Sequence, residues 1–119
     1  MPNHKRSTIA TRVRRIVIVV VPPIEELDLV APLQVFGAAN RLSEKKVYSL
    51  EIATNGKELE VPGEGGMLSF LAQRRIQEVK GRIDSILLVC GVGTRLDRDP
   101  ELSRWLTTMC PTERNPFSV

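Results

Sequence analysis

Cys90, Cys110 and His4 are the residues of this chain best suited to nucleophilic or metal chemistry, and their spacing limits both. The two cysteines form no CxxC or CxxH pair, so neither a metal site nor a redox couple is expected. His4 is the sole histidine and stands in a polar leader, so no catalytic Cys–His pair is expected. Cys90 is followed by Gly91-Val92-Gly93, whose glycines leave room for a ligand and supply backbone donors. A thiol becomes a nucleophile when a base or helix terminus lowers its pKa; with none identifiable, Cys90 reads as a small apolar residue closing a buried strand. Cys110, beside Pro111, reads as an exposed, inert thiol. Asp28 precedes Pro32 at a spacing that lets its carboxylate cap a helix whose first turn holds the proline. Pro62-Gly63-Glu64-Gly65-Gly66 lacks the Lys-Ser or Lys-Thr of a phosphate loop and reads as a flexible turn. No cofactor is implied.

The elements that position these residues follow from periodicity. Residues 16–21 form an unbroken β-branched run without polar alternation, the mark of a strand buried on both faces in a parallel sheet. Pro22-Pro23 ends it. Leu29, Leu33, Phe36 and Ala39 or Asn40 recur at helical steps, which predicts a helix from near Leu29 to near Ser43. Residues 47–54 alternate apolar and polar up to Asn55-Gly56, as a second strand would. Residues 57–61 and 67–71 suggest a small hairpin beside the main sheet. A short helix at 75–79 carries Ile76 and Val79 inward and ends at Gly81. Residues 83–90 are a further apolar strand, so Gly91-Val92-Gly93 falls at its carboxyl end, where open α/β sheets bind ligands. Asp99-Pro100-Glu101 opens a last helix, with Leu102, Trp105, Leu106 and Met109 on one face. The order implies an α/β fold, a parallel sheet with helices on both faces in a flavodoxin-like three-layer arrangement.

At 119 residues and 42% hydrophobic content, one core and one domain are expected. The formal charge of +3 comes from the first residues, where His4, Lys5, Arg6, Arg12, Arg14 and Arg15 precede the first apolar run. The remainder is close to neutral, so the composition describes a solvated basic leader over 1–14 and not a basic binding face. Residues 16–21 are too short for a membrane span of about 20 residues, and Pro22-Pro23-Ile24-Glu25-Glu26 stands where a secretory signal would have its cleavage site. Free cysteines suit a reducing cytoplasm.

Three segments carry a family resemblance: Arg15-Ile16-Val17-Ile18-Val19-Val20-Val21-Pro22-Pro23, Leu27-Asp28-Leu29-Val30-Ala31-Pro32-Leu33-Gln34-Val35-Phe36, and Asp84-Ser85-Ile86-Leu87-Leu88-Val89-Cys90-Gly91-Val92-Gly93. Over about 15–109 the chain resembles the ThiJ/PfpI superfamily (class I glutamine amidotransferase-like), in the branch that forms the sensing domain of AraC-type transcriptional regulators. The chain departs from that pattern at Ala31 (usually glycine), Gln34 (usually glutamate) and Cys90-Gly91-Val92-Gly93 (commonly Pro-Gly-Gly). The resemblance implies that Asp28 matches a carboxylate that enzymatic members set opposite their cysteine for proton transfer. It also places Cys90 before the oxyanion-hole glycine, not at the nucleophile. The family continues past the helix holding Trp105 into another strand and a nucleophile elbow. Residues 110–119 contain two prolines and no apolar run, so an irregular tail and a domain incomplete at its C-terminus are expected.

The resemblance therefore implies a non-catalytic fragment of a ligand-sensing domain, with Asp28, Cys90, Gly91 and Gly93 lining the effector cleft and a small molecule as partner. The alternative is a small ThiJ/PfpI-type hydrolase, hydratase or glyoxalase with an unrecognised nucleophile. No helix-turn-helix segment is visible, so direct nucleic-acid binding is not expected; attachment through the basic leader is the weaker third reading. An incomplete sheet would leave the strand at 83–90 with an open edge, from which self-association is expected.

Overall fold

The computed structural model describes residues 12–91 and 99–110. In chain order the elements are β1 (Arg14–Val21), α1 (Glu26–Leu42), β2 (Tyr48–Thr54), β3 (Glu60–Pro62), β4 (Ser69–Leu71), β5 (Arg74–Arg75), a 3-10 turn (Ile76–Glu78), β6 (Ser85–Cys90) and α2 (Pro100–Met109). The β-branched run of β1 makes it the central strand: Val17, Ile18, Val19 and Val20 have no exposed surface. β1 pairs in parallel with β2 on one side and β6 on the other, and the sheet order is β5-β2-β1-β6.

Strand alternation divides the core in two. Ile16, Ile18 and Val20 face α1 and the β3–β4 hairpin, packing with Leu29, Leu33, Phe36, Val61 and Phe70. Val17, Val19 and Val21 face the 3-10 turn and α2, packing with Ile76, Val79, Leu102 and Trp105. Helices thus cover both faces of a parallel sheet, as expected. Burial of a leucine such as Leu29 or Leu102 contributes about 1.5–3 kcal/mol, enough to fix each helix against its face. Asn40 closes the α1–β2 connection: its Nδ2 donates to the Tyr48 carbonyl at 3.0 Å, and its Oδ1 accepts from the Val47 and Tyr48 amides, each at 2.9 Å.

Several expectations need correction. α1 begins at Glu26, not Leu29, so Asp28 lies within the first turn and caps nothing. Glu25 takes the extended N-cap conformation, and the Asp28 amide already donates to the Glu25 carbonyl at 3.0 Å. Pro32 consequently sits inside the helix, where it denies the Asp28 carbonyl its usual donor four residues on. The burial of Leu29 and Leu33 on the sheet outweighs that loss. The helix expected at 75–79 is a single 3-10 turn preceded by the two-residue strand β5, although Ile76 and Val79 are buried as expected and Gly81 has φ +90°. Cys110 is half-buried, not exposed. Of the early basic residues, Arg12 and Arg15 are tied to the fold, since both bond acidic side chains across the sheet; His4, Lys5 and Arg6 lie outside the described residues.

These ties gather at the amino ends of the strands. Arg15 Nε donates to Glu51 Oε1 at 2.8 Å, and its Nη1 donates to the Lys80 carbonyl at 2.5 Å. Arg74 adds a second cation to Glu51 at 3.3 Å. Arg12 Nη1 bonds both oxygens of Asp84, whose Oδ2 also accepts the Arg15 amide at 2.8 Å. That amide and the Arg12 guanidinium hold the Asp84 carboxyl below the usual aspartate range. The Glu51 carboxylate raises the Arg15 pKa. This end of the sheet is cross-linked for stability.

Candidate functional site at the strand carboxyl ends

The candidate residues from the sequence lie toward the opposite end. From β1 the chain moves outward to β2 and β5, then crosses back to place β6 on the other side of β1. α1, which follows β1, and α2, which comes after β6, pack on opposite faces of the sheet, so the carboxyl ends of β1 and β6 mark the switch point, the position where open α/β sheets take ligands. Val21 of β1 stands in register with Cys90 of β6, so Pro22-Pro23 and Gly91 form the two lips.

Gly91 is confined there: a side chain on it would overlap the Pro23 carbonyl and the Glu64 carboxylate. Glycine at this position therefore serves close backbone approach. Glu64 comes from the β3–β4 hairpin, whose tip is fastened across the start of α1. The Ile24 amide donates to the Pro62 carbonyl at 3.2 Å, the Glu64 amide to the Ile24 carbonyl at 2.7 Å, and the Gly65 amide to Glu26 Oε2 at 2.9 Å. A side chain on Gly63 would also collide with Glu26. Gly63 and Gly65, in the turn read as flexible, let the strap pass close over Glu26.

The sequence-based candidates separate in this frame. Gly91 follows β6 directly, packed against the Pro23 carbonyl and Glu64. Cys90 is half-buried and packs against the α2-side core, in keeping with a small apolar role. Asp28 is exposed on the first turn of α1, its carboxylate without a partner among the described residues. Gly93 lies outside the described residues. Pro23, Glu26 and Glu64 escaped sequence reasoning. The available signal was Glu64 flanked by glycines on both sides, a pattern for close approach as much as for a turn.

β2 contributes a second polar group at this end. Asn55 Nδ2 donates to Asp99 Oδ2 at 2.6 Å, while Asp99 Oδ1 accepts the Leu102 amide at 3.0 Å and caps α2. Asn55 Oδ1 is buried with no partner among the described residues. A separate concavity of about 220 Å³ lies between the 3-10 turn and α2, lined by Ile76, Gln77, Glu101, Arg104, Trp105 and Thr108. It is below the roughly 300–1,000 Å³ of small-molecule sites. Among the described residues no cluster of His, Cys, Asp or Glu could hold a metal ion, and no helix is long and apolar enough to cross a membrane.

No family model and no curated protein matches the chain. Among solved structures it is similar to an AraC family transcriptional regulator from Pseudomonas putida, with a TM-score of 0.66 and 18% identity over 80% of this chain and 57% of that one. The two share an α/β fold. At this identity the likeness establishes the fold, and the chain spans little more than half of the regulator's length.

Proposed function

We propose that this chain is a non-catalytic, ligand-sensing domain portion of an AraC-type transcriptional regulator, of the ThiJ/PfpI-like kind. The observation that carries the reading is Gly91 at the topological switch point, set against the Pro23 carbonyl and Glu64 in a fold shared with such a regulator. A small-molecule effector enters the crevice between β1 and β6, displaces the Glu64 carboxylate from Gly91 and offers it a hydrogen-bond donor. Asp28 contributes charge at the α1 end of the same cleft, Cys90 supports the β6 lip from the core side, and Gly93 is a further ligand contact that the family resemblance implies. A non-catalytic role is supported by the packing of half-buried Cys90 against the apolar core on the α2 side.

The test is a thermal-shift screen of the chain against small polar metabolites, because a ligand that binds the folded state raises Tm by mass action. A compound that stabilises the parent chain but not Glu64→Ala supports the reading. Turnover of any substrate that is lost in Cys90→Ser overturns it in favour of a ThiJ/PfpI-type enzyme.

A further inference from the structure

Beyond its leader the chain is close to neutral, yet the fold separates its charges. Three segments meet at the amino ends of β1, β2 and β6: the one entering β1, the loop from α1 to β2, and the loop from the 3-10 turn to β6. Each carries two exposed cations, in turn Arg12 and Arg14, Lys45 and Lys46, and Lys80 and Arg82. Backbone contacts join the three into one surface. The Arg14 amide donates to the Val47 carbonyl at 3.0 Å, the Asp84 amide donates to the Arg15 carbonyl at 2.9 Å, and Arg15 Nη1 donates to the carbonyls of Lys80 and Arg82. Against the six cations these segments set two carboxylates, Glu44 and Asp84.

Pairing leaves the excess in place. The Asp84 side chain is 11% exposed, whereas the Arg12 side chain bonded to it stays 53% exposed and spends only Nη1 on that carboxylate. Arg82 approaches the same carboxylate at 3.7 Å. Arg14, Lys45, Lys46 and Lys80 make no ion pair among the described residues. The chemistry of a partner follows from what this face holds and what it lacks. Tyr48, the aromatic residue beside Arg14 in the ladder, is engaged edge-on with Phe36 in the core, so the cations have no aromatic anchor of the kind that centres a protein interface. They also stand apart from the concavity beside α2, so they do not enclose a small anion. Cations spread over strands about 4.8 Å apart match a polymer of repeating anions, and duplex DNA presents one phosphate charge per about 1.7 Å of its axis.

We infer that the amino-end face of the sheet is a contact surface for the phosphate backbone of duplex DNA, formed by the folded domain itself and independent of base sequence. Phosphate contacts of this kind fix position and orientation without reading bases. The orientation has a consequence for the other end of the strands, where Glu25, Glu26, Glu64, Asp99 and Glu101 gather. Repulsion turns that acidic end away from DNA, which leaves the switch point open to a ligand while the basic end is engaged. The inference rests on the placement of charge and stands whether or not an effector binds. Contact through a handful of phosphates is weak at physiological salt, with Kd on the order of 10⁻⁴–10⁻⁶ M.

Fluorescence anisotropy of a short labelled DNA duplex of arbitrary sequence, titrated with the full chain at several salt concentrations, tests this. Circular dichroism confirms that each variant is folded. For the parent chain, log K falls linearly with log salt with a slope of about −4 to −5, as contact with roughly five phosphates gives. Lys45→Glu combined with Lys46→Glu lowers affinity at least about ten-fold and makes the slope shallower by about two. Lys46→Glu alone weakens binding, whereas Lys57→Glu, the same change of net charge at an exposed position beyond the carboxyl end of β2, leaves it unchanged. A parent chain without salt-dependent binding overturns the inference. Equal losses in Lys46→Glu and Lys57→Glu overturn it by reducing the effect to net charge, and undiminished binding in the double variant overturns it by assigning the contact to the leader. Poly-L-glutamate that displaces the labelled duplex as well as unlabelled duplex does, at equal charge concentration, gives the face to an acidic protein and overturns it too.

Discussion

The two helices cover the same sheet from opposite sides, yet their sequences solve different problems. α2 has one apolar face: Leu102 is buried and Trp105, Leu106 and Met109 lean on the core, whereas Glu101, Ser103, Arg104, Thr107 and Thr108 are exposed. Its start is fixed locally by the Asp99 carboxylate and by Pro100 in the first turn. α1 is longer, has no side-chain cap, carries a proline inside and is apolar on both sides. Local signals define α2, and packing defines α1. A helix with one apolar face and a cap can be placed from its own residues; a helix with two apolar faces is placed by whatever it packs against.

The strongest way to break this contrast is to remove the anchors. Leu29→Ala and Leu102→Ala should each cost about 2–5 kcal/mol, measured by urea denaturation. If Leu102→Ala were nearly neutral, the capping signals would hold α2 without the sheet, and the two helices would differ still more. Next in size is the cap itself. Asp99→Ala should destabilise by about 1–2 kcal/mol, because it strips the Leu102 amide and Asn55 Nδ2 of their acceptors together. Glu25→Ala, at the N-cap of α1, should fall within about 0.5 kcal/mol. Equal losses would contradict the assignment of α1 to packing.

A smaller effect is expected on the outer faces. Val35→Glu and Thr107→Glu, both at exposed positions, should each change stability by less than about 0.5 kcal/mol by urea denaturation. The smallest effect concerns acid. Asp84, which ties the start of β6 to β1, and Glu78, bonded to Arg75 in the turn against α2, have carboxyls held below their ordinary values, in Glu78 chiefly by the Arg75 side chain. Their contribution to stability is complete above the unfolded values of about 4 and is lost as pH falls through the lower folded values. Denaturation midpoints should drop between pH 6 and pH 3 (roughly the window spanning those values), and Asp84→Asn should shrink that drop. An unchanged pH dependence in Asp84→Asn would show that the carboxylate is not differentially bound in the folded state.

Sequence patterns sufficed for the skeleton. The unbroken run Ile16-Val17-Ile18-Val19-Val20-Val21 dictates a doubly buried central strand, because no polar residue offers water a face. Asp99-Pro100 dictates where α2 starts, because a cap and a proline act on adjacent amides. The glycines at 63, 65 and 66 announce a turn between the short strands. Tertiary structure decided the rest. Asp28 moved from cap to first turn because Leu29 and Leu33 gain more from the sheet than Pro32 costs, a balance between distant residues that no local spacing records. Arg12 and Arg15 read as solvated charges until Asp84 and Glu51 came within reach, residues remote in sequence and adjacent only across the sheet. Glu64 came to lie against Gly91 in the same way. The turn that carries it is legible, but its place over Gly91 depends on β6 returning to the far side of β1, a crossing that the order of elements permits and only the packed sheet fixes.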